Sequence, residues 1–383
     1  MTPRKLMVLA DIPRDLPVHV PALDGIRGLA VLFVVASHLP VLLSYQAVTP
    51  WNFLNRLLSG GFLGVDIFFV LSGFLITSLL LMERSNHARI SLPRFYARRA
   101  LRLLPALYLL LAVDLVISVF EKSSLSGQWN ETWTSLLYLN NWYYVWPWLR
   151  HGSLNFESNL GHLWSLAVEE QFYLIWPMVL MLLLKLRRTK VLSPLVIVLF
   201  ISAIVLRRTA LWHAHVFWMV ILIRTDARLD SLLIGALLAL FYRYVVVNKT
   251  VLKLFAYAAL PLFIVIAYQG PNSSFFYTSG FTLVAVVVLV MILASVEQAW
   301  LVCQVLEQSW LRFIGRISYG IYLWHFVVFT FLSKHFFVGP RAIRILIGLS
   351  ITLAITMTSW YLVEQPALRL KNRRFQKSSE LGT

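Results

Sequence analysis

His38 stands at the end of the first apolar stretch, three helical turns after Arg27, in the run Leu23-Asp24-Gly25-Ile26-Arg27 through Ala36-Ser37-His38. At about 1.5 Å per residue the two are about 16 Å apart along a helix and on nearly the same face. Half the hydrocarbon core of a bilayer is also about 15 Å. With Arg27 at one membrane surface, His38 lies near the middle, where an ionisable side chain is costly and marks a functional site by default. An imidazole there can take a proton from a hydroxyl or carry an acyl group transiently. The plainer alternative is a packing histidine bonded to a neighbouring helix.

A second polar group enters an apolar run at Gly161-His162-Leu163-Trp164-Ser165-Leu166-Ala167-Val168-Glu169-Glu170-Gln171-Phe172-Tyr173. His162 and Glu169 are seven apart and share a helical face, while Glu170 points about 100° away. Adjacent buried carboxylates are hard to ionise together, so one of Glu169 and Glu170 is expected to orient or charge-stabilise His38 and the other to pair with an arginine. A purely structural polar clamp between helices is the alternative.

A third group, Arg94-Phe95-Tyr96-Ala97-Arg98-Arg99-Ala100-Leu101-Arg102, opens another apolar run. Arg98 and Arg102 share a face, with Arg99 three before Arg102. Four arginines and no lysine suit planar forks gripping phosphate, although part of this charge serves topology. Asp66, Asp230 and His325 also lie inside apolar runs. Taken singly, each fits structural pairing as well as catalysis.

The elements that must position these groups are membrane helices. The chain has 383 residues, 59% hydrophobic and 13% charged, against about 25% charged in soluble domains. Apolar runs near 26–45, 62–82, 100–120, 163–184, 191–211, 229–247, 251–268, 280–296, 317–337 and 342–363 predict an all-α integral membrane protein, a bundle of about ten transmembrane helices. The fifth and sixth are the least regular, because Arg207, Arg208, His213, His215, Arg224 and Arg228 crowd their junction. Alternating the loops sends more than two thirds of the 34 lysines and arginines to one side. That bias puts both termini in the cytoplasm. It also explains the net charge of +17 without nucleic acid. Residues 1–20 form a cytoplasmic extension whose charges and prolines rule out a cleavable signal, so the first helix is the expected insertion signal. The tail 371–383 is basic, cytoplasmic and expected to be disordered.

The longest external segment, about 121–160, carries Trp142, Tyr143, Tyr144, Trp146 and Trp148. It reads as an interfacial aromatic belt or as a stacking platform for a sugar ring. The lone Cys303 is expected to be inert packing.

Taken together, Leu23–His38, Gly61–Ile76, Arg94–Arg102, Gly161–Tyr173, Asp226–Gly235 and Gly315–His325 resemble the acyltransferase 3 family, across most of residues 20–370. The resemblance implies a membrane-bound O-acyltransferase domain over 21–370. Such a protein takes an acyl group, usually acetyl, from cytoplasmic acyl-CoA and passes it to a hydroxyl, typically of a bacterial surface glycan or lipid-linked glycan. Arg27 and His38 match the family's arginine, ten residues, then essential histidine. Arg99 and Arg102 match its pair of arginines before the third helix. It implies His38 as catalytic; joined to the reading of the residues, Glu169 or Glu170 is expected to help it, with Arg27, Arg99 and Arg102 on the acetyl-CoA phosphates. It implies no metal, a multi-pass location in the bacterial cytoplasmic (inner) membrane, and the stand-alone form that ends after the last helix. The rival class is a proton-coupled transporter or flippase, which would also use intramembrane Arg, His, Glu and Asp. No inverted repeat supports it.

Overall fold

The computed structural model describes residues 7–9, 20–43, 56, 58–121, 125–152, 158–186, 189–336 and 339–371. Most of the N-terminal extension and nearly all of the basic tail therefore lie outside the described residues. The described part is a helical bundle: α1 (Pro21–Ser37), α2 (Gly64–His87), α3 (Leu92–Phe120), α4 (Leu125–Leu136), α5 (Asn140–His151), α6 (Trp164–Leu183), α7 (Thr189–His213), α8 (Trp218–Ile223), α9 (Leu229–Tyr242), α10 (Lys249–Ala267), α11 (Phe281–Val296), α12 (Ser309–Arg316), α13 (Ser318–His335) and α14 (Arg341–Ser359). The last helix continues through a π-turn to Lys371. Strand β1 (Met7–Leu9) pairs antiparallel with β2 (Val245–Val247), Met7 opposite Val247. This ties part of the extension to the connection between α9 and α10.

Among the described residues, eight helices are long and apolar enough to cross a membrane, so the chain is a multi-pass helical membrane protein. The other two expected spans are also helices, but they differ in kind. The sixth is α9, only 14 residues. The run 229–247 does not continue as helix because it ends in the β-branched Val245–Val247, which pairs with β1. Six-residue α8 precedes α9, and Arg224–Arg228 breaks the two apart. The crowded arginines of this region thus mark a discontinuous helix. The ninth expected span is α13, whose 18 residues include His325, Lys334 and His335.

The expected external segment folds as α4 and α5, which pack on α3 and α6. The turn between them is fastened by Gln171, whose Nε2 donates to the Tyr138 carbonyl at 2.7 Å and to Asn141 Oδ1 at 3.0 Å. Asn141 Nδ2 donates in turn to the Ile223 carbonyl at 3.1 Å. Gln171 lies seven residues, about 10 Å, inside α6 from Trp164. The hairpin therefore dips alongside the bundle. Of its aromatic residues, Tyr144 is buried and Trp146 exposed.

Backbones touch at two glycine contacts that set the site. In the first, α1 lies on α12, where a Cβ on Gly315 would fall 1.8 Å from the Asp24 carbonyl oxygen. In the second, α2 lies on α9, where a Cβ on Gly73 would fall 1.9 Å from the Leu232 oxygen. Neither obstacle is a movable side chain. Gly315→Ala and Gly73→Ala should each destabilise the bundle by about 1–3 kcal/mol, the usual cost of overpacking. Thermal unfolding in detergent reads this, and melting at the wild-type temperature would show that the helices can part at no cost.

Candidate active site

Locking α1 against α12 fixes where both ends of α1 point. His38 follows directly after α1, and a helical turn, Leu39–Leu42, continues beyond it. Its Nδ1 lies 3.1 Å from Nε2 of His325, a fully buried residue of α13. His325 Nδ1 lies 3.1 Å from the Ile321 carbonyl. A carbonyl only accepts, so in the neutral ring the His325 proton is on Nδ1 and Nε2 carries a lone pair. His38 must then donate from Nδ1. This leaves His38 Nε2 unprotonated, the form a general base needs.

Aromatic and polar groups close around the pair. Phe326 sits edge-on to His38, with centroids 5.1 Å apart, and stacks on His162 at 5.0 Å. His162 Nε2 donates to the Leu323 carbonyl at 3.1 Å, and its Nδ1 has no partner among the described residues. The Tyr322 hydroxyl donates to the His162 carbonyl. Its single proton is then used, so Ser165 Oγ donates to the Tyr322 oxygen at 2.6 Å.

Below this cluster a cavity of about 280 Å³ runs between α1, α2, α3, α6 and α13. Arg27, Arg99 and Arg102 line it, as do Ser165 and Tyr322. Tyr322 is one helical turn before His325 on α13, so the cavity joins the arginines to the neighbourhood of the histidine pair. All three arginines expected to bind phosphate are thus brought together. Arg99 lies 3.7 Å from Glu170 and stacks its guanidinium 3.7 Å from the centre of the Tyr173 ring. Among the described residues, Arg27 and Arg102 have no ion-pair partner. Asp24, Glu169 and Glu170 line the same cavity, and the two guanidiniums that no ion pair holds are the groups there that suit an anionic ligand.

Glu169 and Glu170 diverge as their helical angle requires. Glu170 meets Arg99, while Glu169 accepts from Ser72 Oγ and the Tyr173 hydroxyl. Among the described bonds neither reaches His38, and the contact to its ring nitrogen comes from His325. Reasoning on sequence left His325 between pairing and catalysis. It passed over Ser165 and Tyr322, although the three-residue spacing of Tyr322 and His325 puts them on one face. Asp66 and Asp230 lie elsewhere, in buried pairs with Arg228 at 2.9 Å and Arg208 at 2.8 Å. Cys303 is buried and unpaired.

The chain is 32% identical over 367 residues to the O-acetyltransferase OatA of Staphylococcus aureus, covering 91% of this chain and 57% of that protein. It is 34% identical over 361 residues to the peptidoglycan O-acetyltransferase OatA of Listeria monocytogenes, covering 91% and 56%. It is 31% identical over 371 residues to the putative peptidoglycan O-acetyltransferase YrhL of Bacillus subtilis, covering 94% and 56%. It spans little more than half the length of these curated relatives. No solved structure matches it. The model of the acyltransferase domain, Acyl_transf_3, matches residues 20–363, which include the histidine pair and every arginine of the cavity, and the chain belongs to the acyltransferase 3 family.

Proposed function

We propose that the chain is a membrane O-acetyltransferase that moves an acetyl group from cytoplasmic acetyl-CoA to a hydroxyl of a glycan. The observation that carries this is the cavity with unpaired Arg27 and Arg102 at one end and Tyr322, one turn from the His38–His325 pair, at the other. The arginine end faces the cytoplasm, as the charge bias requires, and both termini lie on that side of a bacterial cytoplasmic membrane. Names of the relatives make peptidoglycan the first acceptor to try.

Arg27, Arg99 and Arg102 hold the phosphates, and the thioester arm lies in the cavity. His38 Nε2 takes the proton of the acceptor hydroxyl as its oxygen attacks the thioester carbonyl. His325 Nε2 accepts from His38 Nδ1–H throughout and steadies the imidazolium that forms, the role a carboxylate plays in other triads. As the carbon–sulfur bond breaks, His38 returns the proton to the leaving thiolate, giving free thiol and acetyl ester. Glu170 keeps Arg99 in place, and Glu169 braces Tyr173 beneath it.

Arg102→Ala is expected to raise KM for acetyl-CoA by about tenfold or more, the worth of a charge-assisted contact. Titration of acetyl-CoA in a transfer assay measures it. Arg102 is chosen because, among the described residues, it is held in no ion pair. Transfer that proceeds without acetyl-CoA, or an unchanged KM in this variant, would end the assignment of the donor end.

A further inference from the structure

Beside the cavity that leads toward His38 lies a second, of about 320 Å³. The two share four lining residues, Ile76, Leu79, Arg99 and Arg102. Arg99 and Arg102 thus stand where one space passes into the other. The second space opens at the basic end of the bundle, where three separate elements meet. The end of α2 brings Asn86 and His87, the first turns of α3 bring Arg94 and Arg98, and the far end of the Arg341–Lys371 span brings Lys371.

Its one carboxylate is already used. Glu83 pairs with Arg98 at 3.1 Å and accepts the Ser91 backbone N–H at 3.3 Å. Arg94, Arg102 and Lys371 have no ion-pair partner among the described residues. Lys371 feels the charges of Arg98, Arg99 and Arg102 around one small space; such cations repel one another, and an anion relieves that repulsion. The inner cavity's arginines already account for one phosphate cluster. The outer cations are therefore in place for a further phosphate, set off from the first by the Arg99–Arg102 partition.

We infer that this outer cavity is a separate site for the 3′-phosphate of the donor's ribose, with Lys371 and Arg94 as its principal cations. The inference rests on coenzyme A being the donor's carrier, and it deepens that reading. A thioester of coenzyme A has the matching layout: a diphosphate, a slender arm on one side, and a nucleoside with one more phosphate on the other. The arm occupies the inner cavity, the diphosphate lies at Arg99 and Arg102, and the nucleoside 3′-phosphate lies outside. The site therefore selects against carriers that present a pantetheine arm without a nucleotide. His87 and Asn86 supply further hydrogen-bonding groups beside the cations.

Binding of coenzyme A and of 3′-dephospho-coenzyme A to the purified full-length chain, by calorimetry in detergent, tests this without need of the acceptor. Coenzyme A should bind about tenfold or more tighter than the dephospho form, since one doubly charged group is lost. Lys371→Ala and Arg94→Ala should each shrink that ratio by weakening coenzyme A alone. Arg102→Ala should weaken both ligands in parallel. Equal affinities in the wild type, or a ratio unmoved by both Lys371→Ala and Arg94→Ala, overturn the outer site and leave the donor assignment standing. Binding of neither nucleotide overturns both.

Discussion

Replacing His38 by alanine is expected to slow acetyl transfer about 10²- to 10⁴-fold, the usual contribution of a positioned general base. The bundle should stay folded, because His38 lies at the end of α1, beyond the glycine contact that locks that helix. KM for acetyl-CoA should change little, since the arginines sit at the other end of the cavity. His325→Ala should show the same pattern, by about a hundredfold or more, because an unheld imidazole drifts to the wrong tautomer. His325→Gln gives the sharper reading. Its amide oxygen can accept from His38 Nδ1–H, so it should recover part of the lost rate. Loss of rate with unchanged KM in His325→Ala, and partial return in His325→Gln, separate a positioning role from simple packing. An inert His325→Ala would show that His38 needs no partner.

The second large effect is on stability. Asp66→Ala and Arg228→Ala should each destabilise the protein by about 3–5 kcal/mol, because removing one partner strands a buried charge. Arg228 lies 2.9 Å from Asp66 Oδ1, which also accepts from Ser231 Oγ at 3.0 Å. Its guanidinium rests 3.5 Å from the centre of the Phe281 ring. Both charged side chains are essentially inaccessible. The adjacent Arg208–Asp230 pair, 2.8 Å apart, is closed by Thr282 Oγ1 donating to Asp230 at 2.5 Å. Together these pairs join α2, α7, α9 and α11 at the level where α8 and α9 part. The double replacement Asp66→Ala with Arg228→Met should be much less harmful than either loss alone, since it removes both charges and keeps most of the volume. Thermal unfolding in detergent measures all three. Additive losses in the double variant would mean that the residues act separately, as charged groups of a transport pathway would.

What could be read along the chain was what helical spacing alone decides. Arg27 and His38 lie at opposite ends of one helix, and the glutamates at 169 and 170 had to face different neighbours. The arginines at 99 and 102 had to share a surface. None of this depends on how helices meet. The partner of His38 does depend on it. His325 is 287 residues away, and nothing local distinguishes its ring from one that merely packs. Its tautomer follows only from seeing which carbonyl it faces. The segment from 121 to 160 was legible as an external stretch rich in aromatic residues, but its attachment was not: Gln171 and Asn141 fasten it to the side of the bundle through contacts between helices. The arginines between the fifth and sixth expected spans made those two spans the least regular. Two of them, Arg208 and Arg228, form buried ion pairs beside a broken helix, and that was invisible until Asp230 and Asp66 were seen opposite them.

The proposed reaction follows one path, from the arginine-lined cavity to His38. Transfer of labelled acetyl from acetyl-CoA to peptidoglycan fragments, by purified wild type and His38→Ala protein side by side, tests it most directly. Labelled ester is expected in the wild-type reaction and almost none in the variant, with both proteins binding coenzyme A. Equal labelling by the two proteins would contradict it.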